Sequence, residues 1–223
     1  MISRRIVVVL LAAVFAGSLP PDAQAQSKPV ITPSSDIDIS GYAMLGLMNF
    51  TAADTFDVGL GSPYGTTFGG GVRVGLPLGG LFVDAGASQF RDRGERAFVF
   101  GNQVFHLGIP LDVVITPLAL SAGWEFRLRR MPGIRPYVAG GFTSYSYKET
   151  SEFATDAENV DERFNGYHVT GGAEFRVERW LGVAWEIDWT RVPNAIGNGG
   201  LSELFNESDL GGTSFRFKIT IGQ

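Results

Sequence analysis

The stretch GGAEFRVERWLGVAWEIDWTRV, Gly171 to Val192, decides the fold. Phe175, Val183, Trp185, Ile187 and Trp189 alternate with Glu174, Arg176, Ala184, Glu186 and Asp188. A period of two is the period of a β-strand, whose successive side chains leave on opposite faces of a sheet. One face of this hairpin is therefore apolar and aromatic. The other is charged, but its remaining members are Gly172, Gly182 and Ala184, which are too small for an ordinary water-covered surface. A face both charged and cramped predicts a narrow, enclosed interior.

Working outward, eight alternating runs are predicted near Ile37–Phe50, Thr66–Leu78, Leu81–Arg91, Leu111–Leu128, Arg135–Tyr147, Phe164–Val177, Leu181–Val192 and Thr213–Ile221. Glycine punctuates them and β-branched or aromatic residues fill them, so no helical pattern competes. Ala97–Ile109 (AFVFGNQVFHLGI) reads as a further hairpin projecting from a loop. Three connections are tight, at Leu78–Leu81, Arg129–Ile134 and Glu178–Trp180. Four are long, at Thr51–Gly65, Asp92–Pro110, Lys148–Arg163 and Pro193–Gly212. Short turns on one rim, long loops on the other and an even strand number are the layout of an outer-membrane barrel. Each run has at least about nine residues, enough to cross a bilayer as a tilted strand.

The composition agrees. Charged residues make up 18% of the 223 residues, aromatics 12%, and glycine numbers 30. The net charge of -5 offers no basic footprint for nucleic acid. The absence of cysteine excludes disulfides and thiol chemistry. At the N-terminus, Arg4 and Arg5 precede the apolar run IVVVLLAAVFA (Ile6–Ala16), then Pro20, Pro21 and the small-x-small site Ala23-Gln24-Ala25. This order predicts a secretory signal over residues 1–25. A polar leader follows over 26–36, and the barrel spans 37–223.

Taken by parity, Phe68, Val72 and Val74 oppose Thr67, Gly71 and Arg73, while Leu118, Leu120 and Ala122 oppose Ser121, Gly123 and Glu125. Likewise Phe215, Phe217 and Ile219 oppose Arg216, Lys218 and Thr220. In the first and fifth runs small residues, Met and Tyr fall on both phases, and their facing stays open. Two architectures fit the alternation: a soluble lipocalin-like binding barrel with an oily cup, or an all-β, eight-stranded antiparallel up-and-down transmembrane barrel with lipid outside. The small polar-phase residues favour the second, because an eight-stranded barrel has an interior only just wide enough for side chains. Its inward charges balance. Asp84, Glu125, Glu174, Glu186 and Asp188 are five acids, and Arg73, Arg127, Arg176, Arg216 and Lys218 are five bases. Buried charges must be paired, so these ten residues are expected to form an interior ion-pair network, with Glu186 and Asp188 close to Arg216 or Lys218. Trp124, Phe126, Tyr137, Trp180, Trp185 and Trp189 are expected in outward aromatic girdles.

The eight runs, the segment RPYVAGGFTSYSY (Arg135–Tyr147) and the closing SFRFKITIG (Ser214–Gly222) resemble the small outer-membrane β-barrel proteins of the OmpA/OmpX-like superfamily. The resemblance covers roughly Ile37 to Gln223. It implies short periplasmic turns, long extracellular loops, residence in the cell outer membrane and contact with lipid, lipopolysaccharide and the barrel-assembly machinery. The chain departs from that pattern at its end, Ile221-Gly222-Gln223, where the superfamily carries an aromatic residue.

No catalytic set, cofactor or metal site is expected. His106 lies in a long connection. His168 points inward, but Glu174 is six residues away, about 20 Å along a strand at a rise of roughly 3.3 Å. The segment KETSEFATDAENVDER (Lys148–Arg163) is acidic, a solvated loop or a collector of divalent cations, without calcium-loop spacing. GGGVRVG (Gly69–Gly75) lacks the lysine and helix of a phosphate cradle. The reading is a monomeric barrel with a charge-plugged interior and a structural or surface-interaction role through its loops. A narrow pore for ions or small apolar solutes is the alternative, and a lipid-modifying enzyme the least favoured.

Overall fold

In the computed structural model, which describes residues 37–100, 103–151, 159–198 and 200–222, the alternating runs become eight strands. They are β1 (Asp38–Phe50), β2 (Tyr64–Gly75), β3 (Leu81–Phe100), β4 (Gln103–Glu125), β5 (Ile134–Ser151), β6 (Val160–Arg176), β7 (Leu181–Arg191) and β8 (Gly212–Gly222). Each strand pairs antiparallel with the next, and β1 closes on β8 with Tyr42 opposite Thr220 and Gly46 opposite Arg216. Closure satisfies every strand edge, the condition for a sheet to sit in hydrocarbon. The predicted signal and leader, and residues 152–158 of the acidic segment, lie outside the described residues.

Facing follows the sequence phase. Phe68, Leu118, Leu120, Val169, Trp185 and Ile187 are exposed on the outer wall, and Asp84, Glu174, Glu186, Asp188 and Lys218 are buried inside. The lipocalin-like alternative is thereby excluded, since the greasy face is the outer one. The outer face turns charged toward the long-loop rim, at Arg91, Arg93, Asp112, Lys148 and Asp161, which sets the outer limit of the lipid-facing band.

The first and fifth strands resolve. Ser40, Met48 and Phe50 of β1 and Tyr137, Thr143 and Tyr145 of β5 are buried inward, while Leu45, Leu47, Val138 and Phe142 face out. Tyr137 is therefore not a girdle residue. It is 2% exposed, and its hydroxyl is consumed by a buried carboxylate.

Three further expectations are corrected. The connection Asp92–Pro110 is not a loop bearing a separate hairpin: β3 and β4 continue as one ladder to Phe100 opposite Gln103, with a single register shift between Glu95 and Ala97. Cross-strand ion pairs hold its charged middle, Arg93 Nε to Asp112 Oδ1 at 2.9 Å and Arg91 to the same oxygen at 3.6 Å. Strands β5 and β6 likewise run past the barrel rim, where Lys148 pairs with Asp161 at 2.8 Å.

A helix also exists, α1 (Ala53–Leu60), ended by Gly61 in the left-handed conformation at φ 81°. It has no side-chain cap of its own. Instead the Glu207 carboxylate accepts the amides of Asp54 (3.1 Å) and Thr55 (2.8 Å) and the Thr55 hydroxyl (2.6 Å). The short helix α2 (Gly200–Leu204) precedes that glutamate. Gly94 is obligatory beside α1, because a Cβ there would lie 1.9 Å from the Gly59 carbonyl oxygen.

Finally, the interior is not polar throughout. Under α1, Met48, Phe50, Phe56, Phe90, Val113 and Ile115 belong to one buried apolar cluster with Tyr145, Val192 and Leu210. Phe50 stacks on Phe56 with ring centroids 4.0 Å apart and meets Phe90 edge-on at 5.0 Å. Where the helix folds over the mouth it excludes water, so inward positions there are apolar on the same physical grounds as any core.

Candidate functional site

The interior has three levels, each set by which residues share the inward phase at one height. Nearest the short turns, Arg176 Nε lies 2.6 Å from Glu174 Oε1, and its Nη2 lies 3.7 Å from Asp38. Glu125 pairs with Arg135 at 3.3 Å. Arg127, expected in the network, lies beyond the end of β4, exposed at the lip of the cavity that Glu125 and Arg176 line.

At mid-barrel, Glu186 is the hub. Its Oε1 receives the Tyr137 hydroxyl at 2.6 Å, the Lys218 ammonium at 2.6 Å and a guanidinium nitrogen of Arg73 at 3.8 Å. Arg73 also pairs with Asp84 at 3.2 Å, and Tyr42 donates to Asp84 at 2.7 Å. Rings complete the packing: the Arg73 guanidinium carbon stands 4.2 Å from the Phe82 ring centre and 4.4 Å from that of Tyr137, while Lys218 Nζ stands 4.0 Å above Tyr42. Cation–π contacts of this kind gain strength when desolvated. Glycine makes the room, since a Cβ at Gly86 would lie 2.4 Å from the Tyr42 hydroxyl oxygen.

One level higher, Asp188 accepts the hydroxyls of Thr170 (2.6 Å) and Thr190 (2.8 Å) and pairs with Arg216 at 2.5 Å. His168 is buried and shares a 2.8 Å hydrogen bond with the Thr143 hydroxyl through Nδ1. The expected neighbours Glu186 with Lys218 and Asp188 with Arg216 thus stand together on adjacent strands, each pair diagonal to the register in which Glu186 is opposite Arg216 and Asp188 opposite Ser214. Tyr42, Phe82, Tyr137 and Arg135 also serve the network and escaped the sequence reading. Phe82 shares the phase of Asp84, a signal that was present.

The space left is small. Two separate interior cavities of about 40 Å³ each flank Arg73 and Phe82, one toward His168 and Asp188 and one toward Glu125 and Arg176. Each has room for a few waters. Above the apolar cluster the picture changes. A cup of about 690 Å³ opens at the extracellular end, floored by Phe56, Leu111, Val113 and Leu210 and walled by the tall β3–β6 strands and both helices. That volume is typical of small-molecule pockets. Tyr147 donates to Glu149 at 2.9 Å on its wall. His106 stands on β4 opposite Ala97, exposed and outside the cup lining. Among the described residues no cluster of three His, Cys, Asp or Glu is arranged to hold a metal ion.

On the extracellular hairpin the Arg93 hydrogen bond holds the Asp112 carboxyl below the ordinary aspartate range.

A family model described as the outer membrane protein beta-barrel domain matches residues 9–220. No curated protein matches the chain. Among solved structures, a major outer membrane protein from Thermus thermophilus shares 12% identity, covers 84% of this chain and 99% of its own, and superposes with a TM-score of 0.50. Neisserial surface protein A shares 8% over 83% of this chain and 95% of its own, TM-score 0.48. The N-terminal barrel domain of Pseudomonas aeruginosa OprF shares 11% over 82% and 97%, TM-score 0.45.

Proposed function

Since the chain belongs to the outer membrane protein β-barrel domain family and resides in the cell outer membrane, we propose that it is a closed, non-conducting barrel. Its work lies in anchoring and presenting an extracellular surface. Residues 1–25 serve as its export signal, and the barrel works as a monomer among lipid and lipopolysaccharide after insertion by the assembly machinery.

The interior ion pairs, joined by Arg135, Tyr42 and Tyr137, act as the plug. One observation carries this reading: the barrel axis is filled at mid-height by the Glu186 hub and capped by the apolar cluster, leaving cavities of about 40 Å³. An eight-stranded wall filled by its own side chains transmits poorly. Catalysis is not part of the proposal, because His168 is committed to Thr143 and Asp188 to two threonines and Arg216.

Planar-bilayer recording of the purified barrel tests the plug. A flat baseline at moderate voltage is expected, and stable, reproducible openings would reject it in favour of a narrow pore.

A further inference from the structure

The cup at the extracellular end combines two features that together select a ligand. Its floor is apolar, built on Leu111 and the buried cluster beneath it. Its wall is acidic: among the described lining residues Glu95, Glu149 and Glu162 outnumber the cation Arg96, which already has an interaction of its own.

The acids are placed beside rings. Glu149 and Glu162 project from β5 and β6, where Glu162 is the register partner of Tyr147. Tyr147 donates its hydroxyl to Glu149 at 2.9 Å, which orients that carboxylate, and Phe164 lines the same side. Carboxylates set next to aromatic faces over an oily floor match an ammonium group attached to an alkyl chain. The rings and acids receive the positive head, and the floor receives the chain. An anionic amphiphile would meet the same acids with the wrong sign.

We propose that the cup is a binding site for a cationic amphiphile, a molecule with an alkyl chain and an amine or quaternary ammonium head. The site rests on the barrel being closed beneath it, and conductance tests that closure separately, so loss of either reading leaves the other legible.

The experiment is isothermal titration of decyltrimethylammonium into the full barrel in phosphatidylcholine nanodiscs, with heats of empty nanodiscs subtracted. Saturable one-to-one binding is expected. The Glu149→Gln, Glu162→Gln double variant should bind at least about tenfold more weakly, in keeping with charge-pair recognition. Leu201→Trp narrows the cup without touching its charge and should weaken binding as well. Decyl sulfate, with the same chain and opposite head, should not saturate. Retention of the heat-modifiable gel shift certifies that each variant is folded. No saturable heat with the unaltered barrel, equal binding of decyl sulfate, or a double variant that binds as well as the parent would overturn the site.

Discussion

Glu186→Ala is the perturbation whose cost the structure specifies best. The carboxylate is 2% exposed. Removing it strips Lys218, 5% exposed at its side chain, of its ion pair at 2.6 Å, and takes the acceptor from the Tyr137 hydroxyl. Arg73 keeps Asp84 at 3.2 Å, so the uncompensated charge falls on Lys218. Breaking a buried pair by deleting one partner costs about 3–5 kcal/mol, because the remaining charge stays desolvated. Deleting both charges, as in Glu186→Ala with Lys218→Met, removes that penalty and should recover at least about 2 kcal/mol relative to the single variant. Reversible urea unfolding of the barrel in phospholipid vesicles, followed by tryptophan emission, measures both. A single variant within about 0.5 kcal/mol of the parent would mean a wet interior and would refute the reasoning. A double variant no better than Glu186→Ala would refute it equally.

Further expectations concern other parts of the molecule. Trp185→Arg places a charge at the middle of the lipid face of β7, where Trp185 is 46% exposed, and should cost about 2–4 kcal/mol in the same unfolding assay; tolerance would argue against lipid contact. Glu207→Ala removes the substitute cap of α1 and should weaken that helix by about 1–2 kcal/mol. Faster amide exchange over Ala53–Leu60 with an unchanged strand pattern reads it, and no change would show that the cap is idle. The Asp112 carboxyl should titrate below the ordinary value of 3.8 because Arg93 favours its charged form. Its contribution to the hairpin is therefore complete above that value and fades as pH falls through the lowered one. Carbon NMR of the side chain checks this, with a midpoint at or above 3.8 as the contrary result.

How much of this the sequence discloses depends on whether one face of a strand is uniformly wet or oily. In β7 and β8 it is, and there the outward tryptophans, the inward acids and the pairing of Glu186 and Asp188 with Lys218 and Arg216 are all legible from parity. In β1 and β5 the inward residues include Tyr42 and Tyr137, whose rings pack like hydrophobes while their hydroxyls serve buried carboxylates. Amphipathic side chains of that kind fit either face, and the phase cannot be read from them. Toward the outer mouth the faces invert: Val113 and Ile115 enter the cluster under α1, while Arg91, Asp112 and Lys148 stand on the outward phase, so the greasy-out rule of the membrane band no longer reads the facing there.

The helix itself is eight residues long. Its trace in the sequence was Ala52, Phe56 and Leu60 at intervals of four, a pattern too brief to stand out in a strand-rich chain. Arg135 escapes for a simpler reason: it opens β5, one of the two strands whose phase is ambiguous, whereas Arg127, past the end of β4, borders the cavity that Glu125 lines.

The central claim is the orientation of the wall, with lipid against the apolar phase and charges enclosed. The chain has no cysteine, so single replacements from Val183→Cys to Asp188→Cys can each carry a nitroxide label. Accessibility to oxygen and to a water-soluble nickel complex can then be measured residue by residue along β7. The account predicts a period of two, with high oxygen access at 183, 185 and 187 and little access to either reagent at 184, 186 and 188. Oxygen maxima at the even positions, or nickel access at the odd ones, would contradict it.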